Sequence, residues 1–101
     1  MESNKAILVV NAVINKENMQ ELPSYLQQIG PLFAKYGAVP TAKYKAVANV
    51  QGEDSPELIS IASFDNEEAI HKLTSSEDFN ALSELRARVF SKLNMVICAA
   101  A

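Results

Sequence analysis

The sequence predicts an α+β fold, a four-stranded antiparallel sheet with its helices on one face, in the order β-α-β-β-α-β. Three observations lead there. Runs rich in Val and Ile at 6–14, 58–64 and 93–100 read as strands. Stretches with apolar residues at helical spacing lie between them, and a fourth extended stretch follows the first helix. Each β-α-β half demands a right-handed crossover, and two such halves interleave into one sheet. The chain has 101 residues, which suits a single domain spanning residues 1–101 with no separate cofactor module.

The elements follow in order. Residues 6–14, AILVVNAVI, are apolar on both alternating faces, the pattern of a strand covered on two sides. From Lys16 to Tyr36 the periodicity is helical. Tyr25, Leu26, Ile29, Leu32, Phe33 and Tyr36 make one stripe, and Gly37 is a natural left-handed stop. Gly30-Pro31 interrupts that stripe, yet the phase continues across it, so one helix bent at the proline is expected. Ala38 to Val50 alternate as a second strand, with Pro40 near its start or on a sheet edge. QGEDSPE (51–57) is a polar turn, and Leu58–Phe64 is the third strand. Asp65 or Asn66 caps a short helix carrying Ala69, Ile70 and Leu73. Ser75 or Ser76 caps a further one, with Phe79, Leu82, Leu85, Val89 and Phe90 inward. Residues 93–100 close the chain as the last strand.

Helices on one face leave the other open, and the first strand is apolar there too. A second copy of the chain is the simplest cover, so the pattern predicts a homodimer through the open sheet face. The composition is that of an ordinary globular protein, 49% hydrophobic and 21% charged. The net charge of −3 and the scattered Lys and Arg argue against a nucleic-acid surface. No apolar run is long enough for a membrane span or a secretory signal. Cys98 is the one cysteine and suits a reducing compartment, so the cytoplasm is the expected location.

A set of spaced residues carries a resemblance. Tyr25, Pro31 and the pair Tyr36-Gly37 mark the first helix, and Gly52 follows the second strand. Phe64 leads into Glu67, Glu68 and Ala69; Ser76 precedes Phe79, and Leu85-Arg86 lies on the last helix. In this order, over roughly residues 6–98, the chain resembles the dimeric α+β barrel superfamily of ferredoxin-like proteins. Within it the chain is most similar to a bacterial family of uncharacterised function related to the antibiotic-biosynthesis-type monooxygenases. It departs from that family in having Ala38 after Gly37, and Ile70-His71 where aromatic residues are common. The resemblance implies a ligand cleft between sheet and helices. The haem-degrading branch of the superfamily uses an Asn, a Trp and a His at positions matched here by Asn11, Phe64 and Ser83. With no Trp and no imidazole in place, haem degradation is not expected, and no cofactor is implied.

Asn11 interrupts an apolar strand; either it bonds a backbone neighbour or it points into the cleft and orients a ligand. Arg86, among Leu82, Leu85 and Val89, either anchors an anionic ligand or pairs with Glu84, Asp78 or a partner-chain carboxylate. With Phe33 and Phe64 these two are the candidate ligand-binding residues; no catalytic residue and no metal ligand is assigned. His71, four residues after Glu67, reads as a solvated helix position, and Cys98 as a buried inert thiol. Tyr25, Tyr36 and Tyr44 read as core or interface aromatics. Lys43 and Lys45 share one face of the second strand, flanking a cleft mouth or guarding an edge. Two functions are compatible with these residues. One is a binder, or cofactor-independent converter, of a small apolar or aromatic molecule. The other is a non-catalytic dimerisation module with no small-molecule site.

Overall fold

The computed structural model describes residues 5–53 and 55–100. The leading residues 1–4, Asp54 of the polar turn and Ala101 lie outside the described residues. The strands are β1 (Ala6–Ile14), β2 (Val39–Lys45), β3 (Leu58–Phe64) and β4 (Phe90–Cys98). The helices are α1 (Leu22–Lys35), α2 (Glu67–Thr74), α3 (Glu77–Ala81) and α4 (Ser83–Val89), and a 3₁₀ turn at Lys16–Glu21 leads into α1. The spatial strand order is β2-β3-β1-β4 with every neighbouring pair antiparallel. This is the ferredoxin-like α+β fold.

The even-numbered side chains of β1 carry the core. Ala6, Leu8 and Ala12 are buried, and Leu8 and Phe64 pack with Leu32 of α1, Ile70 and Leu73 of α2 and Phe79 of α3. A smaller cluster of Tyr25, Leu82 and Val89 joins α1 to α4. All helices therefore lie on one side of the sheet. The odd-numbered residues Ile7, Val9, Asn11 and Val13 of β1 face the other way.

α1 runs unbroken through Gly30-Pro31. The proline leaves the Gln27 carbonyl without its usual donor, but Gln27, Gly30 and Pro31 are all exposed, so water takes that bond. The buried stripe through Tyr25, Ile29 and Leu32 never meets the gap. At its end Gly37, at φ +88°, lets Ala38 N donate to Phe33 O (3.1 Å) and Gly37 N to Ala34 O (3.0 Å). These two bonds satisfy the last carbonyls of the helix.

Several boundaries differ from the sequence expectation. Residues 16–21 are a 3₁₀ turn, capped by the Asn15 side chain at Glu17 N. β2 stops at Lys45, because beyond Ala46, whose N–H reaches Glu57 O at 2.9 Å, no strand stands opposite. The second helical region has three pieces, α2 to α4, with Asn66 and Ser76 as the caps of the first two. Phe90 begins β4 in extended backbone instead of ending a helix, since it pairs with Ile14 of β1. Cys98 is half-buried on the open sheet face, not in the core.

One ion pair ties the start of α1 to the end of α4: Arg88 Nε and Nη2 donate to the Glu21 carboxylate at 3.0–3.2 Å. The hydrogen bond from Arg88 holds the Glu21 carboxyl below its ordinary value, with burial opposing and the arginine's charge assisting. A depressed carboxylate stabilises the fold above its ordinary pKa and loses that contribution as pH falls through the lowered value. Arg88→Met is therefore expected to melt slightly below wild type at neutral pH. The two melting curves should converge once the pH is well under the glutamate range. A gap that persists in acid would show that Arg88 acts through its packed stem alone.

Candidate functional site

Residues opposite one another across the sheet share a face, and three rows look toward α1. They are Pro40–Ala62–Leu8–Ile97, Lys43–Ser60–Val10–Met95 and Lys45–Leu58–Ala12–Leu93. Above them Tyr25, Ile29 and Phe33, on successive turns of α1, point back to the sheet. Small residues face one another at several places, among them Ala12 and Ala62 below and Gly30 and Ala34 above, and the two layers do not meet. A cavity of about 390 Å³ results, lined almost wholly by apolar groups. Phe90 closes one end and meets Tyr25 edge-on, with ring centroids 5.5 Å apart at 86°. Lys43 and Ser60 supply polar groups where the cavity opens at the β2 side.

Tyr25 contributes to the cavity wall, and its hydroxyl is hydrogen-bonded to Arg86. Its residue is only 4% exposed, and burial pushes the phenol above its ordinary pKa, while the Arg86 guanidinium beside it offsets part of that rise. The hydroxyl is thus a neutral donor over a wide pH range. A raised acid contributes stability that is complete below the ordinary phenol value and disappears as pH climbs through the raised one. Wild type should accordingly lose stability at alkaline pH in a step that Tyr25→Phe removes, measured as melting temperature against pH. An unchanged alkaline step in the variant would show that Tyr25 is not its source.

The four candidate residues do not converge. Phe33 lines the cavity. Phe64 lies behind it, 1% exposed, its ring centroid 6.1 Å from that of Phe33. Arg86 stands behind Tyr25, its Cζ 3.9 Å from the centre of the Phe79 ring and its Nη2 donating to Phe79 O at 3.1 Å. Among the described residues it pairs with no carboxylate, and its Nη1 is buried without a hydrogen bond. The ring beneath the guanidinium compensates part of that cost. Asn11 is on the open face, opposite Asn94, where both border a second depression with Lys92, Ser55 and Pro56. It does not point into the cleft, because its position in β1 has the parity of Ile7 and Val9.

Sequence reasoning passed over Ser60 and treated Tyr25 only as a packing aromatic. The available signal was parity: Ser60 is the polar residue on the β3 face that carries Leu58, Ala62 and Phe64. His71 is on the helix surface, 3.0 Å from Glu67. No His, Cys or carboxylate lines the cavity. Among the described residues no cluster of three His, Cys, Asp or Glu forms a metal site, and no helix is long and apolar enough to cross a membrane. Such a cavity can exclude water from a small apolar molecule and orient it by shape.

Residues 5–101 match the family described as a domain of unknown function, DUF1330. No curated protein sequence matches the chain significantly. Among solved structures, a protein of unknown function from Rhodopseudomonas palustris is similar with a TM-score of 0.81 at 9% identity, over 99% of this chain and 85% of that one. SnoaB, a cofactor-independent oxygenase from Streptomyces nogalater, has a TM-score of 0.70 at 10% identity, over 98% and 95%. A dimeric protein of unknown function with a ferredoxin-like fold from Bacteroides fragilis has a TM-score of 0.67 at 13% identity, over 99% and 100%.

Proposed function

The chain belongs to the DUF1330 family, whose description carries no activity, and we propose that it binds a small apolar or aromatic molecule in the cavity under α1. In this reading the chain is a single cytosolic domain working as a homodimer paired through the open face of its sheet. The observation that carries the reading is the cavity itself: about 390 Å³ that the protein's own side chains leave unfilled, within the range of small-molecule sites. Phe33 is the ligand contact of the four candidates. Phe64 supports Phe33 from behind, Arg86 holds Tyr25, and Asn11 belongs to the dimer face. A neighbour of this fold described as a cofactor-independent oxygenase supports extending the reading to conversion. There the substrate itself would be the reductant of dioxygen, and the protein would only orient and desolvate it.

The test is a fluorescence titration with the neutral probe N-phenyl-1-naphthylamine. Saturable binding at one site per chain is expected, weakened about tenfold by Phe33→Ala. If the probe and a panel of small aromatics fail to bind, the chain is a dimerisation module with an empty gap under α1.

A further inference from the structure

Apart from Tyr25 and Tyr44, the polar residues of the cavity wall lie along one line. Lys43 is the charged residue among those that line it. The register sets Lys43 directly opposite Ser60, and the same row continues inward to Val10 and Met95. It therefore runs from an ammonium on one edge strand, through a hydroxyl, to the apolar side chain of Val10 in the middle of the sheet. Lys35 pairs with Asp78 at 3.8 Å and Lys72 with Glu68 at 3.8 Å, whereas Lys43, like Lys16 and Lys45, is not in such a pair among the described residues. The cavity wall offers Lys43 no carboxylate. The chain as a whole carries a net charge of −3, so its overall field repels anions. Any preference for an anion must come from local cations, Lys43 on the cavity wall and Lys45 two residues on along the same face.

We infer that the ligand is a small organic anion, an aromatic or aliphatic carboxylate. Its apolar body lies beneath Tyr25, Ile29 and Phe33, and its carboxylate meets Lys43 at the rim with Ser60 as a second donor. The inference rests on the cavity being a binding site and adds the chemistry of the occupant. An alcohol or hydrocarbon of the same shape would fill the apolar part and leave the ammonium to water. An amine would place like charges together at the rim.

The test is displacement of N-phenyl-1-naphthylamine at low salt by two molecules of similar shape, naphthalene-2-carboxylate and 2-naphthylmethanol. Wild type is expected to favour the carboxylate by about fivefold, the scale of one solvent-accessible ion pair. With displacement referred to each variant's own affinity for the neutral probe, Lys43→Met loses the preference, whereas Lys43→Arg retains it. Equal displacement by the two molecules in wild type, or an undiminished preference in Lys43→Met, overturns the inference while leaving the cavity a binding site. Failure of the neutral probe itself removes the binding reading and this inference with it.

Discussion

Replacing Phe64 with alanine is expected to cost about 3–5 kcal/mol of folding free energy, a large share of the 5–15 kcal/mol typical of a domain this size. Phe64 ends β3 on the helix side, 1% exposed, in the cluster that contains Leu8, Ala62, Ile70 and Leu73. Truncation removes the ring from the centre of the helix–sheet contact, and its neighbours on two rigid layers cannot collapse into the space. The denaturation midpoint in urea should fall with an unchanged slope. Phe33→Ala forms the contrast: Phe33 is half-buried on the cavity wall, so its loss should weaken ligand binding more than the fold. A loss below about 1 kcal/mol for Phe64→Ala, together with lost probe binding, would reverse the two roles and make Phe64 the ligand contact.

The contrast between these two phenylalanines marks where sequence reading ends. β1 was legible to the residue because both of its faces are apolar, and α1 was legible through Pro31 because the stripe keeps its phase. The same two-sided apolarity hid which face Asn11 takes, since nothing in AILVVNAVI says which parity meets the helices. Boundaries set by distant pairing were also hidden. The helical phase of LRARVF runs on through Phe90, yet Ile14 stands ready to pair there and no glycine or proline marks the change. Likewise AVANV alternates like a strand, but beyond the bond from Ala46 N to Glu57 O no strand among the described residues pairs with it. The cavity had only a faint signature, the small residues Gly30, Ala34, Ala12 and Ala62 on surfaces that turn out to face each other. A void between layers is a property of both at once, and one chain read in order does not display it.

Aspartate in place of Val96 is expected to split the proposed homodimer while leaving the protomer folded. Every helix lies on one side of the sheet, and the opposite side is apolar across its middle. One row there is Ala42–Ile61–Val9–Val96, flanked by Val39–Ser63–Ile7–Cys98. Val96 is 47% exposed and Val39 56%, so the patch meets water in the isolated chain. Apolar patches of this kind mark contact surfaces, and a two-fold axis lets the same patch cover itself. The row Tyr44–Ile59–Asn11–Asn94 adds two facing amides that can bond across such an axis. By symmetry Val96→Asp places two carboxylates in the apolar middle of the proposed interface. A cost of about 3 kcal/mol or more follows, a rise of over a hundredfold in the dimer dissociation constant. Because the position is already half in water, the far-ultraviolet circular dichroism of the variant should match wild type. Light scattering should then give the 11.0 kDa of one chain for the variant and twice that mass for wild type. A wild-type protein of single-chain mass at micromolar concentration, or a variant that stays paired, would mean that the open face of the sheet is not where two copies meet.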